Sequence, residues 1–192
     1  LRAYRKIIVN RNFLLMLPMS MFGYASFAFI LTLWGSRYLH IVQDLSNDYA
    51  SFILMFMAFF WTIGSVAFGY IEKILKRKKL IIITSSFILC FLLILLSINI
   101  NYSKSILLTI FSLFGFFGAY TLVVISHYRI LFKKNIIGKV LTTSNLFNFS
   151  GVFLVQWITG LIIFNTSEKL NLSNNLSFSS AFLLIALLLF LS

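Results

Sequence analysis

Few side chains in this sequence are able to do chemistry, and most of those are uncharged. Asn145, Asn148, Gln156 and Thr159 lie in one apolar stretch, and at about 100° per helical residue they project within an arc of about 100°. A polar stripe of that kind has two readings. It can tie helices together, at about 0.6 kcal/mol per interhelical hydrogen bond inside a membrane, or it can line a path for a polar solute. Arg37 and His40 close an apolar run beside Asp44 and Asp48. There a long cation can snorkel to headgroups and pair with the acids, or it can face a cavity and attract an anionic substrate through its forked donors. His127 and Tyr128 end another apolar run; His127 is either an interfacial residue or part of a gate or proton route. No Asp or Glu lies in the middle of an apolar run. Because membrane carboxylates are the usual ion carriers, an ion-coupling residue, if transport here is ion-coupled, is expected in a part of the protein outside this chain.

The elements that must hold these residues follow from composition. Of 192 residues, 60% are hydrophobic, 18% aromatic and only 10% charged, against roughly 45–50% apolar and about 25% charged in a soluble domain. The apolar residues gather into stretches long enough to cross a hydrocarbon core of about 30 Å as helices. Hydropathy places six spans at about Phe13 to Ser36, Tyr49 to Ile71, Leu80 to Ile100, Ser105 to Tyr128, Val140 to Phe164, and Phe178 to Ser192, the last short enough to look truncated. The strict alternation of a membrane barrel is absent, so the fold class is an all-α membrane protein, a single transmembrane domain over residues 1–192.

The net charge of +12 would in a soluble protein raise nucleic-acid binding, but here the basic residues sit between the spans, and no nucleic-acid partner is expected. Arg2, Arg5, Lys6 and Arg11 precede the first span; Lys73, Lys76, Arg77, Lys78 and Lys79 follow the second; Arg129, Lys133, Lys134 and Lys139 follow the fourth. Only Arg37, Lys104 and Lys169 fall on the other side, with Asp44, Asp48 and Glu168. The positive-inside rule therefore sets the N-terminus in the cytoplasm and the chain as a multi-pass protein of the cell (inner) membrane, with the bilayer as its first partner. The single cysteine, Cys90, excludes a disulfide framework and a Cys/His metal pattern. The chain begins Leu-Arg-Ala, without the pattern of a signal peptide, as a cut-out of a longer protein would.

Close helix packing in a membrane uses small residues. Gly115 with Ala119 and Gly118 offers one such face, and Gly64 with Gly69 is expected to thin one end of the second span. These faces serve either static packing or sliding between helices. Pro18 falls inside the first span and is expected to kink it unless neighbours satisfy the carbonyl it frees.

The segment Gly69-Tyr70-Ile71-Glu72-Lys73-Ile74-Leu75-Lys76-Arg77-Lys78-Lys79 resembles the signature loop of the major facilitator superfamily. Gly69, Arg77 and Lys78 stand at its glycine and basic positions; Lys73 occupies the usual aspartate position, with Glu72 beside it as a substitute. The stretch from His127-Tyr128-Arg129-Ile130-Leu131-Phe132 to Gly138-Lys139, followed by Thr142, Asn145, Phe149, Gly151, Phe153, Gln156 and Trp157, and the run Leu33-Trp34-Gly35-Ser36-Arg37-Tyr38-Leu39 are similar to facilitator-type transporters of unassigned substrate. The resemblance covers nearly the whole chain as the C-terminal half of a twelve-helix protein. It implies two inverted three-helix repeats, an N-terminal half as partner, and a solute site near the bilayer midplane.

The expected function is secondary active transport of a small solute by alternating access. Asn145, Asn148, Gln156, Thr159 and Arg37 are the candidates for the substrate pathway. Gly69, Glu72, Arg77, Lys78 and His127 are the candidates for a conformational or gating loop. A non-transporting receptor or assembly protein on the same scaffold is the alternative. An enzyme would need paired carboxylates or clustered histidines at membrane depth; none is evident, so no catalytic residue, cofactor or metal is expected.

Overall fold

The computed structural model describes residues 2–98, 100–166 and 174–192, and among them it contains helices and no strand. Six helices are long and apolar enough to cross a membrane: Arg11–Ile41, Asn47–Leu75, Lys78–Ser97, Lys104–Leu131, Ile137–Phe164 and Asn174–Leu191. They are called the first to sixth spans below. A short helix, Arg2–Ile8, precedes them. The chain is a multi-pass membrane protein, with all six expected spans present. Glu168 and Lys169 lie outside the described residues.

The ends of the spans are set by hydrogen bonding as much as by oil. Asn10, Ser46 and Ser103 cap the first, second and fourth spans, each accepting from backbone N–H groups of the first turn. The second span runs on to Leu75, past the hydropathic boundary at Ile71. Residues 69–75, which resemblance assigns to a loop, are therefore helical. Helix formers such as Glu72 and Lys73 carry the backbone onward after the apolar run ends, and the helix closes only where Lys76 turns left-handed at φ 52° and its N–H returns to the Glu72 carbonyl. Only Lys76 and Arg77 separate it from the third span. The sixth span starts at Asn174, four residues before the apolar run, and reaches 18 residues.

Two spans are interrupted near their middles. The first consists of an α-helix Arg11–Ala28, a π-helical turn Phe29–Trp34 and an α-helix Gly35–Ile41. Its helix passes through Pro18 unbroken, so the irregularity lies downstream of the expected kink. Thr32 sits in the π turn and donates to the Ala28 carbonyl at 2.7 Å. The fourth span breaks at Ala119 and Tyr120, between helices Lys104–Gly118 and Thr121–Leu131.

The most extensive packing joins the first span to the fifth, the second to the fourth, and the third to the sixth. The second and fourth approach through glycine. A methyl group at Gly115 would fall on the Met57 carbonyl oxygen, and one at Gly64 on the Phe116 carbonyl and Ala119. Gly69 is different: nothing lies within 4 Å of the place its methyl would take, so it does not thin the interface as the sequence suggests. The fourth span is the most enclosed, with 61% of its apolar stretch buried, while the second and fifth have 22% each.

Candidate functional site

The turns after the interruption of the fourth span, the first halves of the first and fifth spans, and the middle of the second line a cavity of about 200 Å³. Ser20 and Tyr24 come from the first span, Trp61 from the second, Thr121 from the turn after the break, and Asn145 and Asn148 from the fifth. Its lining carries hydroxyls, amides and aromatic rings beside the aliphatic Leu122 and Ile125, with no charged side chain, and no residue from the third or sixth span.

Within this group the polar stripe divides into committed and uncommitted members. Asn148 is buried and faces Ser20, whose Oγ lies 3.0 Å from the Ser144 Oγ. With its amide nitrogen turned toward the first span, Asn148 donates to Ser20 Oγ at 2.8 Å and to the carbonyls of Ser20 and Ser144 at 3.2 Å. Gln156 donates to Thr32 Oγ1 at 2.7 Å, tying the fifth span to the π turn of the first. Thr159 is buried and donates to its own helix, at the Val155 carbonyl, at 2.6 Å. Asn145 is exposed and lines the cavity; among the described residues its amide has no side-chain or backbone partner. The Trp61 Nε1, at the same cavity, is also without one.

Arg37 is not brought to this cavity. It is exposed and lies over the Trp34 ring, 5.6 Å from its centroid, a cation–π contact. Among the described residues no ion pair joins it to Asp44 or Asp48. Its neighbour His40 places Nδ1 2.8 Å from the Leu45 carbonyl, which closes the turn after the span. The tie at this end comes from Gln43, which sequence pattern does not single out. Its amide nitrogen donates to the Tyr38 hydroxyl at 3.0 Å and the Ile100 carbonyl at 3.1 Å, and its oxygen accepts from the Tyr102 N–H at 3.0 Å. One side chain thereby joins the turn after the first span to the turn after the third.

Glu72 and Lys78, two of the candidate gating residues, meet at the opposite end. Glu72, on the last turn of the second span, pairs with Lys78 at 2.6 Å, and Ser126 of the fourth span donates to the Glu72 carboxylate at 2.6 Å. Lys78 also donates to the Ser126 carbonyl at 3.2 Å. Three helices are locked by one carboxylate, one ammonium and one serine. Glu72 carries the pairing, and Lys73 beside it is exposed. Gly69 and Arg77 are exposed and stand outside this lock. His127, one residue beyond Ser126, is buried.

Both ions of the pair are about four-fifths buried, so losing one partner leaves the other poorly solvated. Lys78→Met is expected to cost about 1–2 kcal/mol, and the double change Glu72→Gln with Lys78→Met no more than that, because the orphaned charge is gone. Thermal unfolding in detergent checks this; additive losses would show that the pair is uncoupled.

Ser20, Thr32, Trp61 and Ser126 are among the members of these arrangements that sequence reasoning misses. Each is a lone hydroxyl or indole in an apolar run, with nothing in its own spacing to mark it. Among the described residues no three His, Cys, Asp or Glu side chains gather closely enough to hold a metal ion. Comparison of the chain with protein-family models, curated proteins and solved structures finds no match.

Proposed function

We propose that this chain forms half of a secondary transporter that moves a small solute across the cell membrane by alternating access. The observation that carries the proposal is the cavity with an uncommitted amide, Asn145, and an unpaired indole, Trp61. Unsatisfied polar groups inside a membrane protein are costly, and a polar solute or the water of a pathway would satisfy the Asn145 amide, which is open to the cavity. A lining of hydroxyls and amides among aromatic and aliphatic side chains, without charge, suits a neutral solute with an apolar body and a hydroxyl or amide group.

The arrangement of spans supports the same reading. Exchange of spans one, two and three with four, five and six turns the first–fifth pairing into the fourth–second pairing and leaves the third–sixth pairing unchanged. Two inverted three-helix repeats would pack in this way, in keeping with the resemblance to the major facilitator superfamily. The interrupted spans, first and fourth, are counterparts under that exchange, and discontinuous helices commonly flank transporter sites. The second and fifth, also counterparts, are the least enclosed and offer the faces that an N-terminal half would cover. The basic turns would then lie in the cytoplasm, with the Glu72, Lys78 and Ser126 lock holding one state of the cycle.

The test is cysteine accessibility on a Cys90-free background, with single cysteines at Asn145, Asn148, Val152 and Gln156. A membrane-impermeant thiol reagent is expected to label Asn145 most strongly, with labelling that shifts as candidate solutes are added. Uniform protection at all four positions, from both sides, would refute a water-filled pathway.

A further inference from the structure

Three of the side chains lining the solute cavity are aromatic, and each comes from a different span: Tyr24 from the first, Trp61 from the second and Phe149 from the fifth. The second and fifth spans share no extensive packing. The second packs mainly on the fourth and the fifth mainly on the first, and these two stand between them. Trp61 and Phe149 therefore form opposite walls of the cavity. Asn145 lies one helical turn before Phe149 on the same side of its helix, so its free amide stands beside the second wall.

Both walls are steadied by a further ring contact. Trp61 stacks on Phe27, with centroids 5.7 Å apart and planes at 25°, and Tyr24 meets Phe149 edge to face, at 5.9 Å and 80°. The Trp61 Nε1 is buried, so this side chain offers the cavity its ring and not its donor. Tyr24 is half-buried, and its hydroxyl, like the Asn145 amide, has no partner among the described residues. Aromatic rings favour a second ring, offset-stacked or edge-on, beyond what the buried area alone supplies. A volume of about 200 Å³ is below the roughly 300–1,000 Å³ of sites for drug-sized ligands, which suits a single ring with one polar substituent. Leu122 and Ile125 of the fourth span are placed to cover the edge of such a ring.

We propose that the solute is a small neutral aromatic compound. Its flat ring lies between Trp61 and the pair formed by Tyr24 and Phe149, and its carboxamide or hydroxyl substituent is bonded by the Asn145 amide and the Tyr24 hydroxyl. This assignment rests on the transport reading and names the class of solute for that same cavity.

The full-length protein in detergent is titrated by calorimetry with benzamide and with cyclohexanecarboxamide, which share a six-membered ring and a carboxamide and differ in the π face. Benzamide is expected to bind about tenfold tighter. Trp61→Leu and Tyr24→Leu are each expected to bring the two ligands within about threefold of one another. Tyr24→Phe is expected to keep the preference and weaken both ligands severalfold, because the ring stays and the hydroxyl goes. Unliganded unfolding temperatures check that the variants fold, and Tyr24→Phe, which leaves the ring contact to Phe149 in place, serves where a leucine variant does not. Equal affinity for the two ligands, binding of neither, or a preference that survives both leucine changes overturns the aromatic assignment. Cysteine labelling along the fifth span does not depend on the ring. Labelling that shifts with other solutes, without a benzamide preference, strikes the aromatic assignment and leaves transport standing; uniform protection strikes both.

Discussion

Asn145→Leu is expected to leave the unfolding temperature of the chain within about 2 °C of the parent while lowering solute flux in liposomes about tenfold or more, the loss of about 1.4 kcal/mol of binding in the transition between states. Asn148→Leu is expected to act in the opposite order, costing about 1–2 kcal/mol of stability and reducing folded protein before flux per molecule is considered. Asn148 is buried in a network with Ser20 and Ser144, so leucine removes its bonds across to the first span and leaves the two serines only each other. Asn145, three residues away on nearly the same face, gives up no protein bond. Flux across a broad panel of neutral solutes, measured alongside thermal unfolding, distinguishes the two roles. Equal loss of stability at both positions, with flux per folded molecule unchanged, would mean that the stripe is interhelical glue throughout and that the solute path lies elsewhere.

The stripe shows how far the sequence carried. Hydropathy and charge were enough for six spans, because a membrane leaves the backbone little choice but helix and because 60% apolar composition with clustered cations is a coarse signal. Periodicity was enough to put Asn145, Asn148, Gln156 and Thr159 on one side of the fifth span. It could not say which would be bonded, since that depends on the partner: Ser20 and Thr32, both more than a hundred residues away, decide the state of Asn148 and Gln156. Arg37 was legible as an end-of-span cation, but its place over Trp34 follows from the π turn between Phe29 and Trp34, which has no proline or glycine to announce it. The turn after the second span was misjudged in length for a simple reason. Hydropathy reports where oil ends, at Ile71, whereas the helix runs four residues further, to Leu75, and closes where the Lys76 N–H returns to the Glu72 carbonyl.

The glycines make the same point as a matched pair of experiments. Gly115→Ala is expected to destabilise the chain by about 2–3 kcal/mol, the upper part of the range for overpacking, whereas Gly69→Ala is expected to stabilise it by about 0.5–1 kcal/mol. Each substitution adds one methyl to a glycine inside a transmembrane helix, and helix propensity favours alanine at both by about 1 kcal/mol. At Gly69 nothing stands within reach of the methyl, so only propensity acts. At Gly115 the methyl meets the backbone of Met57, which cannot rotate away as a side chain can. The second and fourth spans must separate, and with them the Gly64 contact to Phe116 and Ala119, just before the break that positions Thr121 at the cavity. Lost packing is not recovered by lipid, because association in a membrane rests on close contact and not on escape from water. Gly115→Ala should therefore lower flux through the geometry of the cavity as well as through stability, and thermal unfolding with flux per folded molecule measures both. A neutral Gly115→Ala would show that the two spans meet more loosely than their carbonyl-to-glycine approach implies; a damaging Gly69→Ala would show that another surface covers that end of the second span.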